Sequence, residues 1–86
     1  MQFEWDEDKS GSNSLKHGID FEMAKGLWLD EIHAPSPVEK RWITIAELND
    51  KIWAAVYTLR RGKIRIISVR KARRKEEILY EKEKTG

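Results

Sequence analysis

The chain has 86 residues, enough for one domain over positions 1–86 with a thin hydrophobic core. It contains no cysteine, which excludes disulfides and thiolate metal sites, and no apolar run reaches the ~18 residues of a membrane span. Residues 1–40 hold four basic and nine acidic residues (net −5), whereas residues 41–86 hold thirteen basic and six acidic residues (net +7). This asymmetry indicates either an anionic partner for the second half or two halves that neutralise each other in the fold.

The first half of the chain is predicted to be mainly helical. Its start, Met1–Trp5, forms either a short strand or an extended lead-in, and acidic residues follow it in place of a basic signal peptide, so we expect a cytoplasmic protein. A first helix begins after Asp6, which suits an N-cap, and ends at Gly18, which suits a left-handed C-cap. Asp20 caps a second helix over about Phe21–Leu29, where apolar residues recur at helical spacing.

The second half is predicted to form an antiparallel sheet followed by a helix. The segment Ala34-Pro35-Ser36-Pro37 is predicted to be a loop, because prolines disrupt helices and central strands. Three strand-like runs follow at Arg41–Leu48, Ile52–Arg60 and Lys63–Val69, and a helix covers Lys71–Lys84. The fold class is therefore predicted to be α+β, with N-terminal helices, an antiparallel three- to four-stranded sheet and a C-terminal helix.

The third strand combines apolar residues with an unusual density of cations. Nine basic residues lie between Arg60 and Lys75, and no carboxylate lies among them. Simple alternation puts Arg65 on the open side of the sheet beside Tyr57 or Trp53, where an arginine can contact phosphate and stack on bases. The alternative is a solvated arginine that keeps the sheet soluble. The same alternation divides the strand into two sets of residues, namely Ile64, Ile66, Ser68 and Arg70 on one face and Arg65, Ile67 and Val69 on the other.

Few residues are suited to proton transfer near neutral pH. His17 follows Lys16, which can hold a phosphate, but a histidine before a glycine also serves as a capping or packing group. Tyr80 either anchors the last helix or presents its hydroxyl to a substrate, and Glu77 is a further candidate. His33 lies 16 residues from His17 and no cysteine accompanies them, so we expect neither a zinc site nor a cofactor.

Two groups of residues resemble the BrnT toxins, and the resemblance extends in order over nearly the whole chain. The first group is Phe3-x-Trp5-Asp6-x-x-Lys9 followed by Asn13-x-x-Lys16-His17-Gly18-Ile19-x-Phe21-Glu22-x-Ala24. The second group is Glu39-x-Arg41, the Val56–Thr58 strand and Arg65-Ile66-Ile67-Ser68-x-Arg70-Lys71-Ala72, followed by Glu77 and Tyr80.

The resemblance implies a RelE-like fold and a toxin of a type II toxin–antitoxin system that cleaves RNA and blocks translation. It also implies a BrnA-like antitoxin with a ribbon-helix-helix region as partner, through which alone the complex contacts operator DNA. Two alternatives remain, namely a module that binds nucleic acid without cutting it and a structural corepressor that clasps an acidic stretch of the antitoxin.

On this hypothesis the reaction needs no metal, because cations stabilise the phosphorane while side chains move protons. The expected catalytic residues are Arg65 and Arg70, which would stabilise the charge of the phosphorane, and His17, Glu77 or Tyr80, one of which would transfer the proton. The expected RNA-binding residues are Lys16, Arg41, Lys71, Arg73 and Arg74.

Overall fold

The computed structural model describes residues 2–29, 31–35 and 40–85, and its class is α+β, as predicted. None of the helices in these residues has the length and apolar character needed to cross a membrane. The elements in chain order are β1 (Phe3–Glu4), α1 (Glu7–His17), α2 (Phe21–Ala24), a 3₁₀ helix (Lys25–Leu29), β2 (Glu31–Pro35), β3 (Trp42–Leu48), β4 (Lys51–Arg60), β5 (Lys63–Lys71) and α3 (Arg74–Thr85).

The helix boundaries follow the capping residues. The Asp6 carboxylate accepts backbone N–H bonds at the start of α1, and Gly18 ends that helix with φ 77°, so both predictions are confirmed. The predicted helix Phe21–Leu29 is α-helical only as far as Ala24 and then continues as the 3₁₀ helix. There, a Cβ on Gly26 would come within 3.2 Å of the Leu48 side chain, so the tighter segment packs closely on β3.

The sheet is larger than predicted and is mixed. Its order is β1-β5-β4-β3-β2, and β1 runs parallel to β5 while the other pairs are antiparallel. The antiparallel part of the sheet, β2–β5, agrees with the predicted three to four antiparallel strands, whereas the parallel pairing of β1 as a fifth strand was not predicted. The strand β2 includes Ala34 and Pro35, which were predicted to be loop; a proline is tolerated there because β2 is an edge strand and Pro35 is its last residue. Ser36 and Pro37 lie outside the described residues.

A β-bulge in β5 changes which side chains share a face. Val56 pairs with Ser68 and Tyr57 pairs with Ile66, so Ile67 is an extra residue on β5. Every side chain after Ile67 therefore points to the face opposite the one that simple alternation predicts. The predicted division of β5, which put Arg65 and Arg70 on different faces, is wrong for this reason. We call the face that carries Ile64, Ile66 and Val69 the inner face, and the face that carries Arg65, Ser68 and Arg70 the outer face.

The inner face carries the aromatic part of the core. Trp28 of the 3₁₀ helix packs edge-to-face on both Phe3 of β1 and Tyr57 of β4. Tyr57 and Trp53 are buried there and are not the neighbours of Arg65 that we predicted; Arg65 pairs across the strands with Thr58. On the outer face, α3 packs against β3 and contacts the end of β5, which leaves Arg65, Ser68 and Thr58 half-buried beyond it.

Asn13 of α1 hydrogen-bonds to the backbone of β5 as a neighbouring strand would. Beyond the short pairing with β1, the Asn13 side chain donates to the Val69 carbonyl (2.8 Å) and accepts from the Val69 N–H (3.1 Å). The same amide donates to the Ile19 carbonyl at 2.9 Å, and Asn13 is only 6% exposed. Asn13 thereby fixes β5 to α1 two residues after the bulge.

Candidate functional site

The nine basic residues of the third predicted strand and its flanks form two clusters at opposite ends of β5. Arg65 and Arg70, on the same face, are separated by about 15 Å along the strand at ~3.3 Å per residue. The hairpin cluster consists of Arg60, Arg61, Lys63 and Arg65, at the β4–β5 turn. The corner cluster consists of Arg70, Lys71, Arg73, Arg74 and Lys75, at the junction of β5 and α3.

The hairpin cluster is built by a two-residue turn. Arg61 and Gly62 both have positive φ (53° and 77°), the geometry that joins two antiparallel strands tightly, and this pairs Arg60 with Lys63. Arg60, Arg61 and Lys63 are exposed. Positive charge is therefore concentrated at the tip of the hairpin.

One carboxylate enters this cluster from the opposite end of the sequence. The parallel pairing of β1 with β5 sets Glu4 beside Arg65, and an Arg65 guanidinium N–H donates to Glu4 Oε2 at 2.9 Å. The Arg60 guanidinium lies 3.9 Å from the same oxygen. One negative charge thus faces two positive charges, and the Arg65 side chain, 32% exposed, keeps donors beyond the single bond to Glu4.

Arg41 lies at the same end of the sheet as the hairpin cluster. It is exposed and immediately precedes β3. The preceding residue, Lys40, accepts a hydrogen bond through its carbonyl from the Thr58 hydroxyl (2.7 Å), and Thr58 pairs with Arg65. The backbone around Arg41 therefore lies close to the strand position opposite Arg65.

In the corner cluster, Arg70 is held by a carboxylate that the sequence places just after the basic run. The two terminal nitrogens of Arg70 donate to the two oxygens of Glu76 at 2.7 and 2.9 Å, and Glu76 also accepts the Arg73 backbone N–H at 2.7 Å. The hydrogen bonds from Arg70 hold the pKa of Glu76 below its ordinary value, and Glu76 raises the pKa of Arg70. This bidentate pair ties the end of β5 to the first turn of α3.

We expect Glu76→Gln to lower the free energy of unfolding near neutral pH by about 1–2 kcal/mol, because a partly exposed charge pair and a helix-capping bond are weakened. The folded-state pKa of Glu76 is depressed, so its contribution is present above the ordinary value of 4.5 and is lost as the pH falls through the lowered value. Urea unfolding of both proteins between pH 7 and pH 3 measures this. A stability difference that is unchanged or larger at pH 3 would contradict it.

The structure brings Lys71 and Glu77 together, and it places His17 nearby. Lys71 and Glu77 line a cleft of about 390 Å³ with Lys51. His17 lines a second cleft, of about 170 Å³, which also contains Lys51. Both clefts lie at the end of the sheet where β4 begins and β5 ends. The structure therefore does not bring His17 together with Arg65.

The remaining predicted residues differ in exposure. Lys16, Arg73 and Arg74 are exposed, and Arg74 lies 3.9 Å from Glu77. Tyr80 is only 6% exposed and belongs to the hydrophobic core, with the Lys84 ammonium 5.7 Å from its ring centre. Of the two roles considered for Tyr80, its position fits the helix anchor.

Most residues of the first motif hold the fold. Trp5 packs edge-to-face on the buried Phe21, Asp6 and Gly18 cap α1, and Asn13 fixes β5. Within the described residues, no group of three His, Asp or Glu side chains is arranged to hold a metal ion.

Sequence reasoning missed Glu4 and Arg60 as parts of a candidate site. The alternation of Phe3, Glu4 and Trp5 was a signal for a strand, but it did not reveal which strand would lie beside it.

Comparisons with known proteins bear on the fold and on the family of this chain. The fold is similar to the 1.1 Å crystal structure of the Brucella abortus ribonuclease toxin BrnT, with a TM-score of 0.72 and 30% sequence identity over 86% of this chain and 99% of that chain. The family described as "Ribonuclease toxin, BrnT, of type II toxin-antitoxin system" matches residues 5–76. The chain belongs to the BrnT family. No curated protein matches its sequence.

Membership in the BrnT family implies an activity and a partner at the level of the family. The family is one of ribonuclease toxins, and a type II toxin–antitoxin system implies an antitoxin as partner. The matched range includes His17, Arg65 and Arg70, whereas Glu77 and Tyr80 lie beyond its end.

Proposed function

We propose that this chain is the endoribonuclease toxin of a type II system, which cleaves RNA in the cytoplasm and thereby inhibits translation. Membership in the BrnT family supports this activity. We further propose that a BrnA-like antitoxin with a ribbon-helix-helix region neutralises the toxin, and that operator DNA is contacted only through the complex. The observation that carries the site is the Arg65 guanidinium, which is partly exposed on the outer face and keeps donors for phosphate beside its one bond to Glu4.

The proposed reaction is attack of a 2′-hydroxyl on the adjacent phosphate. It leaves a 2′,3′-cyclic phosphate on one product and a free 5′-hydroxyl on the other. Negative charge develops on the phosphorane oxygens, and preorganised cations that meet this charge lower the barrier by several kcal/mol. Arg65 is suited to this role because it is anchored by one bond, lies at the open part of the outer face and has donors left for phosphate.

The corner cluster is suited to phosphates that flank the cleaved one. Arg70 has both terminal nitrogens engaged by Glu76, so its proposed contribution is mainly to position the start of α3. Lys71, Arg73 and Arg74 follow and are exposed. We propose that they bind the RNA backbone on one side of the cleaved phosphate and that Arg41 binds it on the other.

Purified chain is expected to cleave RNA equally well in EDTA and in magnesium, because side-chain cations supply the positive charge. The measurement is incubation with an end-labelled RNA oligonucleotide in each buffer, followed by identification of the new ends. Cyclic-phosphate ends in both buffers are the expected result. A requirement for magnesium would contradict the metal-independent route. RNA that is bound in a salt-sensitive manner but left intact would identify a binding module in place of a nuclease.

A further inference from the structure

The structure separates two groups that the proposed reaction needs side by side. Arg65, the residue best suited to the cleaved phosphate, lies in the hairpin cluster, whereas His17 and Glu77 line clefts at the opposite end of β5. A general base must come within about 2.6–3.2 Å of the proton that it removes. His17 and Glu77 do not meet this condition for a phosphate bound at Arg65.

One carboxylate, that of Glu4, lies within the hairpin cluster. Glu4 Oε2 accepts a hydrogen bond from Arg65 at 2.9 Å and lies 3.9 Å from a nitrogen of Arg60. Within the described residues, Arg65 of β5 and Arg60 of β4 are the charged groups that contact Glu4. The three side chains form one site that combines a proton acceptor with two cations.

We infer that Glu4 is the general base of the proposed cleavage, and that Arg60 and Arg65 hold the phosphate and the charge of the phosphorane. This inference rests on the proposed ribonuclease function. The attacking 2′-oxygen and the phosphorus atom belong to one nucleotide and lie about 3 Å apart in a reactive geometry. A carboxylate that is bonded to the guanidinium holding this phosphate is therefore within reach of the 2′-hydroxyl.

The step balances within these groups and water. The 2′-hydroxyl proton passes to Glu4 while the bond from the 2′-oxygen to phosphorus forms. The bond from phosphorus to the 5′-oxygen then breaks, and the 5′-oxygen takes a proton from water. The hydroxide formed from that water takes the proton from Glu4, which restores both the water molecule and the Glu4 carboxylate. Arg60 and Arg65 remain protonated throughout, so the negative charge of the phosphorane is met by two cations that Glu4 holds in place.

The site is also accessible and is held by the fold. Glu4 is half-buried at the end of the two-residue strand β1, and the Ile64 N–H donates to the Gln2 carbonyl at 2.9 Å to fix that strand on β5. Thr58, opposite Arg65, is half-buried as well, and Arg60 is exposed. A phosphate can therefore approach from the side of the hairpin tip.

Glu4→Gln tests the inference because glutamine keeps the shape and a hydrogen-bond acceptor for Arg65 but cannot take up the proton. Cleavage of an end-labelled RNA oligonucleotide is measured as a function of pH, and binding is measured with the same oligonucleotide carrying 2′-O-methyl groups, which cannot be cut. We expect cleavage to fall by about 10²–10⁴-fold, with the acid limb of the pH–rate profile removed. Binding should be unchanged or tighter, because one negative charge has been removed from the site.

Glu22→Gln is the matched control. Glu22 is an exposed carboxylate in an ion pair with Lys25 at 2.7 Å, and its removal changes the net charge by the same amount away from the hairpin cluster. This variant is expected to cleave RNA at the wild-type rate. If Glu4→Gln does not fold, Glu4→Asp carries the test. A carboxylate drawn back by one methylene is expected to slow cleavage without weakening binding of the 2′-O-methyl oligonucleotide, whereas a residue that only positions Arg65 would weaken that binding as well.

Three results would overturn the inference while leaving the ribonuclease in place. Wild-type cleavage by Glu4→Gln would make the Glu4–Arg65 contact a structural pair, and faster cleavage would make Glu4 an inhibitory counter-charge. Slower cleavage with the acid limb intact would assign Glu4 to positioning Arg65 alone. Absence of cyclic-phosphate ends with the wild-type protein would instead remove the proposed function itself.

Discussion

Replacing Arg65 by alanine is expected to lower the rate of RNA cleavage by about 10²–10³-fold while leaving the fold intact, since this is the usual effect of removing one donor aimed at transition-state charge. The fold is expected to persist because the Arg65 side chain is partly exposed and makes one hydrogen bond, to Glu4. After the substitution, Glu4 keeps contact with solvent and with Arg60. Single-turnover cleavage of an end-labelled oligonucleotide, with circular dichroism as the check on folding, measures the effect.

Lys82→Ala is the matched control for Arg65→Ala. Lys82 is exposed on α3 and belongs to neither basic cluster, so its loss removes one positive charge without touching the site. It is expected to cleave at close to the wild-type rate. Equal losses in the two variants would show that net charge alone governs activity, and wild-type cleavage by Arg65→Ala would place the reaction elsewhere on the protein.

Asn13→Ala is expected to have the largest effect on stability, about 3 kcal/mol, because it leaves buried polar backbone groups of Val69 and Ile19 without partners. For a domain of this size the melting temperature should fall by about 15 °C. Replacement by aspartate should be at least as harmful, since a carboxylate would face the two carbonyls to which the Asn13 amide donates. Thermal and urea unfolding measure both variants.

Ser12→Ala provides the control for Asn13→Ala, because it lies next to Asn13 on α1 but is exposed. Its stability is expected to be close to that of the wild type. A loss below about 1 kcal/mol in Asn13→Ala would contradict the role assigned to the amide, because that is the usual net value of one hydrogen bond and three are removed here.

The parts of the fold that were predicted correctly depend on local chemistry. Asp6 and Gly18 bound α1 because a carboxylate satisfies free N–H groups and glycine tolerates the left-handed C-cap. The Arg61-Gly62 turn fills the two-residue gap between the predicted strands Ile52–Arg60 and Lys63–Val69, where a short polar pair separates two apolar runs. The α+β class follows from such elements in order.

The arrangement of the candidate site depends on contacts between residues that are distant in the sequence. The residues next to them in the sequence do not indicate these contacts. The bulge at Ile67 is not marked by glycine, so only the pairing of β5 with β4 reveals that Arg65 and Arg70 share a face. Glu4 is 61 residues from Arg65 in sequence, and the two meet through a two-residue parallel strand that is too short to predict. The run of uncompensated cations in the sequence is therefore partly neutralised in the fold, through Glu4 and Glu76.

Inducible expression of the chain without its antitoxin, compared with expression of Arg65→Ala, tests most directly the claim that this protein acts on RNA through its hairpin cluster. Growth and incorporation of labelled amino acids are followed after induction, with soluble folded protein confirmed for both. We predict a rapid loss of translation with the wild type and continued translation with Arg65→Ala. Equal growth of both strains, or equal arrest of both, would contradict the account.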